Sequence, residues 1–219
     1  GTTLVEQIIS CHSQVKAGGE LYFLSRLGFS MNQGNKKINM KNLNECRMSY
    51  LEQLSRFSEG FSFLTDKMPA NFRYIGLICS AIPEAKIIHV KRDPAATCWS
   101  NFKSYFSVEG HGFSYDLKDT VRYFKLYQNL MELWDQMYAD RIYHLDYDKL
   151  TVDQEIQTRC LINYLGLKWE NKCLYPHKNM RNVQTASQLQ VREKVYTGSS
   201  QSWRKFEKYL DGTFDKLLV

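Results

Sequence analysis

The 219-residue chain is short of proline, with four in all, yet Tyr, Phe and Trp make up 14% of it. That balance argues against disorder. No apolar run is long enough to read as a membrane-spanning helix. No secretory leader is visible, although the chain opens abruptly inside what reads as a motif. None of the six cysteines (Cys11, Cys46, Cys79, Cys98, Cys160 and Cys173) forms a Cys-x-x-Cys pair, which removes the usual zinc spacing. They read as mostly reduced, buried thiols of a cytoplasmic protein, with a lumenal protein holding one or two bridges as the alternative. Runs of Lys or Arg are missing too. The net charge of +6 therefore suits an acidic ligand but does not by itself imply nucleic acid. What is plentiful is core material. At 43% hydrophobic residues, the chain can build one α/β domain or at most two small ones.

The stretch Ala85–Phe106 organises the rest. Ile87, Ile88 and Val90 form a short β-branched run that predicts a buried strand. Arg92-Asp93-Pro94 ends it, because proline gives no N–H to a sheet and suits the first turn of a helix. A strand that stops at an Arg and turns into a helix offers an anion a cation, free N–H groups and the positive end of a dipole. Ser100 follows eight residues after Arg92, two helical turns on, where a hydroxyl could reach the same anion. The plainer alternative pairs Arg92 with Asp93 or a neighbouring carboxylate and leaves Ser100 an ordinary helix serine.

The same logic extends along the chain. Leu4, Ile8 and Cys11 share a helical face behind Gly1-Thr2-Thr3, a Gly and two hydroxyls that could cradle an anion or simply cap a helix. Gln14–Glu20 reads as a loop with a Gly-Gly hinge, and Glu20 opens a helix, where a carboxylate is also plain dipole chemistry. Gly28–Lys41 reads as a polar loop, and Asn42–Ser58 as an amphipathic helix. Phe61–Lys67 is a second strand with Lys67 at its carboxyl end, where ligands gather in open parallel sheets; alternatively Lys67 pairs with Asp66 or is solvated. Helices are predicted over Asn71–Ala81, Asp116–Tyr138 and Val152–Leu165, and a strand over Arg141–Leu145. Ser107–Asp116, with His111, reads as a lid-like loop. Asn179–Ser202 has little pattern, and a final helix starts at Trp203. Strands alternating with helices predict a doubly wound parallel α/β sheet.

Together these pieces resemble the P-loop-type sulfotransferase family, which uses 3′-phosphoadenosine-5′-phosphosulfate (PAPS). They are most similar to its protein-tyrosine sulfotransferase and related bacterial branch. GTTLVEQII resembles the end of the 5′-phosphosulfate loop, Pro-Arg-Ser-Gly-Thr-Thr-Leu. GGEL resembles the loop with the family's catalytic glutamate, DKMPANF the strand-end lysine motif, and IIHVKRDPAATCWS the 3′-phosphate motif. LDYDKL resembles the Tyr-Glu-X-Leu element, and the run from Ser187 to Trp203 the late segment that grips the nucleotide.

The resemblance implies one sulfotransferase domain over residues 1–219, starting inside the 5′-phosphosulfate loop. It implies that Gly1, Thr2 and Thr3 hold the 5′-phosphosulfate and that Arg92 and Ser100 bind the 3′-phosphate. Tyr147, Gln190, Val191, Val195 and Gly198 would line the nucleotide. Glu20 would be the general base, with Lys67 and Ser187 stabilising charge on the transferring group. PAPS would be the donor, 3′-phosphoadenosine-5′-phosphate (PAP) the product, and no metal would be needed. In-line transfer between oxygens needs mostly positioning and electrostatics, as in phosphoryl transfer. The acceptor would carry a hydroxyl: a peptide tyrosine, a sugar or a small phenol.

Two departures bear on this. The family's first strand and Pro-Arg-Ser do not precede Gly1, so the sequence reads as N-terminally truncated, with weakened or no turnover expected. The open sheet position would invite another chain, and a homodimer is one candidate assembly. Ser202 stands where a basic residue is common in that branch, with Lys194 and Arg204 as substitutes. The rival readings are a P-loop kinase, which would want Gly-Lys-Ser/Thr where this chain has Gly-Thr-Thr, a non-catalytic nucleotide-binding or interaction remnant, and a nucleic-acid binder, for which no aromatic-basic motif is found.

Overall fold

The computed structural model describes residues 1–32, 37–106, 110–183, 185 and 188–217, the side chains of 31 and 32 excepted. Its elements are α1 (Thr2–Ile9), β1 (Val15–Ala17), α2 (Phe23–Asn32), α3 (Met40–Ser58), β2 (Phe63–Thr65), α4 (Ile75–Ala81), β3 (Ile87–Lys91), α5 (Pro94–Lys103), α6 (Leu117–Tyr138), β4 (Ile142–Asp146), α7 (Tyr147–Val152) and α8 (Gln154–Tyr164). The result is an α/β fold of small parallel sheets flanked by helices.

Local chemistry sets many boundaries. Pro94 opens α5, and the Asp93 carboxylate caps it by accepting from the Ala96 N–H at 2.6 Å. Asp116 caps α6 through the Asp119 N–H at 3.0 Å, and Asn39 caps α3 through Asn42 at 2.9 Å. The first turn after β2 is a 3-10 segment, Pro69–Tyr74, before α4 begins.

The strands form two separate parallel pairs. Val15 to Ala17 of β1 pair with Phe63 to Thr65 of β2. Ile87 to Lys91 of β3 pair with Ile142 to Asp146 of β4. The parallel pairing and covering helices are as the alternation predicts, and among the described residues the two pairs are not hydrogen-bonded to each other. A cavity of about 1280 Å³ is lined by Phe63–Thr65 of β2 and Ile87–Val90 of β3. β2 and β3 therefore face it along their length, and Val15 of β1 reaches it as well.

Two clusters hold the frame. Val5, Ile8 and Ile9 of α1 bury against Leu145, Leu150, Leu161 and Ile162. Ala95 and Cys98 of α5 pack with Val121, Phe124, Trp203 and Phe214. All six cysteines are free thiols. On β3, His89 meets His144 of β4 across the ladder, Nδ1 to Nδ1 at 2.9 Å, and its Nε2 contacts the Tyr127 hydroxyl. His144 reaches the Asp135 carboxylate at 3.0 Å.

Several expectations shift. β1 arises inside the stretch expected to be a loop, Gln14–Glu20. LDYDKL folds largely into α7. The helix expected from Trp203 begins instead at Ser199 and is a 3-10 run to Tyr209, with a short 3-10 turn, Asp215–Leu217, after it. In the lid-like loop, residues 107–109 lie outside the described residues; Gly112–Tyr115 is a 3-10 turn, and His111 stacks on Phe106 with ring centroids 4.8 Å apart.

Candidate active site

The carboxyl ends of β1 and β2 deliver the first part of the site. β1 runs into the Gly18-Gly19 turn, and the Gly18 N–H donates to the Thr65 carbonyl at 3.1 Å. A Cβ on Gly18 would lie 2.3 Å from that oxygen, so only glycine allows the approach. The Lys67 N–H then donates to the Gly19 carbonyl at 2.8 Å. These bonds bring Glu20 and Lys67 side by side, with Lys67 Nζ donating to Glu20 Oε1 at 2.6 Å. The Lys67 side chain is 8% exposed and that of Glu20 31%. A nearly buried ammonium needs such a partner. Lys67 thus pairs with Glu20, while the adjacent Asp66 accepts from the Tyr50 hydroxyl at 2.9 Å. Burial pushes the Asp66 carboxyl up to about 6.

The carboxyl ends of β3 and β4 deliver the second part. Arg92 follows β3, and its guanidinium lies over the Tyr147 ring at 4.9 Å. Its Nε donates to the Ser200 hydroxyl at 2.9 Å and Nη2 to that of Ser199 at 3.3 Å. The Tyr147 hydroxyl lies 3.3 Å from that of Ser199. Gly1 also sits against the Tyr147 ring, where a Cβ would come within 2.4 Å of it. Asp93 does not neutralise Arg92. Its carboxylate caps α5, and its N–H donates to Asp148 at 3.1 Å.

Glu20, Lys67, Arg92 and Thr2 line one cavity, with Thr97 and Asn101 of α5. Thr3 is buried, its hydroxyl 3.4 Å from that of Thr185, which also lines the cavity. Ser100 is not among the described lining residues. It lies about 100° around the helix from Asn101, and its carbonyl accepts from the Ser104 hydroxyl at 2.7 Å. Gln190, Val191, Val195 and Gly198 are likewise not among them. Val191 is buried, and Gly198 precedes the 3-10 run that brings Ser199 and Ser200 to Arg92. Ser187 lies outside the described residues. Among the described residues, no three His, Cys, Asp or Glu side chains are grouped to hold a metal ion.

The model of the sulfotransferase family matches residues 1–171. The chain belongs to the sulfotransferase family. Among relatives of this sulfotransferase-family chain, an uncharacterized protein of Aquifex aeolicus (strain VF5) is 34% identical over 96% of this chain and 30% of its own length. Protein-tyrosine sulfotransferase 1 of Danio rerio is 23% identical over 80% of this chain and 52% of its own length. The chain thus spans about a third and about half of these relatives.

Sequence reasoning missed Ser199 and Ser200, which hold the Arg92 guanidinium, and Glu6, a carboxylate buried behind the Gly18-Gly19 turn. The signal for Glu6 was present. A charged residue on the helix that carries Leu4, Val5, Ile8 and Ile9 must find donors inside the protein once that helix is buried.

Proposed function

We propose that this chain carries the donor-binding and catalytic machinery of a PAPS-dependent sulfotransferase that acts on a hydroxyl acceptor. The observation that carries the reading is the 2.6 Å contact of Lys67 with Glu20, in the same cavity as Arg92. The residues present suit the donor's charge distribution. Arg92, with Ser199 and Ser200 beside it and Tyr147 beneath, would hold the 3′-phosphate side. Thr2, with Gly1 and Thr3 at the start of α1, would hold the 5′ side. When bound, PAPS supplies an activated sulfuryl group.

The chain's own residues do the rest. Glu20 accepts the proton of the acceptor hydroxyl as that oxygen attacks. Lys67, hydrogen-bonded to Glu20, would offer its ammonium to the charge that develops on the transferring group. Part of the cavity wall is aromatic. Phe72 meets Tyr127 edge-on at 5.1 Å, and Phe113 stacks on Tyr123 at 3.9 Å. Such walls favour a ring-bearing acceptor, and the similarity to protein-tyrosine sulfotransferase 1 of Danio rerio puts a peptide tyrosine first among them.

Calorimetry separates this reading from its rivals. Binding of PAP without binding of Mg-ATP is expected. Mg-ATP binding in its place would move the chain to the kinases, and binding of neither would reduce it to an interaction module.

A further inference from the structure

Glu6 is charged, its side chain is 2% exposed, and neither donor binding nor proton transfer uses it. Its two oxygens serve different parts of the molecule. Oε1 accepts from the Gly19 N–H at 2.9 Å and from the Thr65 hydroxyl at 2.7 Å. Oε2 accepts from Arg181 Nη2 at 2.6 Å. Gly19 immediately precedes Glu20, and Thr65 closes β2 two residues before Lys67. The first oxygen therefore binds the segments that present both charged groups of the site.

The second oxygen holds the tail. Arg181 also donates through Nε to the Gln7 amide oxygen, and Gln7 Nε2 donates to the Asn179 carbonyl at 3.2 Å. Arg192 binds the carbonyls of Asn179 at 2.5 Å and Arg181 at 2.6 Å. This ties the backbone around Arg181 to the 3-10 turn Gln190–Arg192. Between these anchors lie Thr185 and Gln188, both lining the cavity. One buried carboxylate thus joins the turn that presents Glu20 to the tail that walls the same cavity.

We infer that Glu6, gripped by Arg181, is a positioning residue that aims the Gly18-Gly19-Glu20 turn only when the tail is seated. A carboxylate with three donors has one orientation. Without Arg181 it can rotate, and the Gly19 N–H loses a fixed acceptor although Arg181 never touches Gly19. The role assigned to the turn rests on Glu20 being the base; the coupling itself does not.

The test compares Arg181→Met, Arg181→Lys and wild type by amide hydrogen exchange, with PAP calorimetry and turnover alongside. Arg181→Met should speed exchange at Gly19 about tenfold or more while the β3–β4 amides keep their rates. Arg181→Lys should restore Gly19 to within about threefold of wild type. PAP affinity should stay within about twofold and kcat fall about tenfold, since the donor's partners are untouched. Unchanged Gly19 exchange in Arg181→Met would overturn the inference. So would equal acceleration at Gly19 and in β3–β4, which marks a general loss of stability. If Arg181→Met does not fold, Thr65→Val removes one donor to Glu6 and decides on the same readout. Failure of the wild-type chain to bind PAP would instead sink the sulfotransferase reading, leaving the exchange result to judge the coupling.

Discussion

The two strand pairs follow the same plan and are supported differently. Each is parallel, and each delivers a cation at the carboxyl end of the strand facing the cavity: Lys67 after β2, Arg92 after β3. The β1–β2 pair has only three residues a side. Its end is fixed by a buried polar network of Glu6, Thr65 and Arg181. The β3–β4 pair has five a side, with Leu145 wholly buried against α1 and α8. Its end is held by neutral hydroxyls and an aromatic face. The short pair places an ion pair, Lys67 with Glu20, and the longer pair places a cation that has uncharged partners among the described residues. Substitutions should therefore act differently in the two halves.

The largest effect belongs to the short pair. Glu20→Ala should cut turnover by about 10²–10⁴-fold, the range for losing a general base, while PAP affinity measured by calorimetry is unchanged. Full turnover in this variant would remove Glu20 from the chemistry. Next is the frame of the longer pair. Leu145→Ala should destabilise the protein by about 2–5 kcal/mol in urea titration, because the wholly buried site cannot collapse around the missing atoms. Arg92→Ala follows, with an expected loss of about 2–4 kcal/mol in PAP affinity and little change in melting temperature. Equal losses of PAP affinity in Glu20→Ala and Arg92→Ala would erase the division of labour.

The smallest effect is a contrast in pH response. Burial, then the neighbouring His144, lowers His89 to about 4. Between that value and about 6.5 the unfolded chain binds the extra proton, so His89 costs stability as pH falls from 6.5 towards 4. Asp66, raised to about 6 by burial, has the opposite sign. There the folded chain holds the proton between about 4 and 6, so stability is lost as pH rises through that window. Denaturant titrations should show His89→Asn flattening the acid limb by ~2 kcal/mol and Asp66→Asn gaining stability at pH 7 relative to pH 4. Matching slopes in the two variants would contradict the burial of one group or the other.

What could be read in advance follows the same divide. The β3 strand, its terminal Arg92 and the Asp93-Pro94 helix start were legible because a β-branched run, a cap and a proline are local signals. β1 was not, since Val15-Lys16-Ala17 is only three residues long beside a Gly-Gly pair and gains its ladder only from β2. The helix through Ser100 was legible, but the spacing did not single out Thr97 and Asn101, the residues of α5 that line the cavity. Arg181 meets Glu6 across 175 residues, a separation that no local pattern encodes.

Among the described residues no carboxylate pairs with Arg92; two serine hydroxyls and a tyrosine face are its company. A phosphate arriving there displaces only uncharged partners and has no resident anion to evict. Its encounter with the guanidinium should weaken steadily as added electrolyte shortens the reach of that bare positive charge.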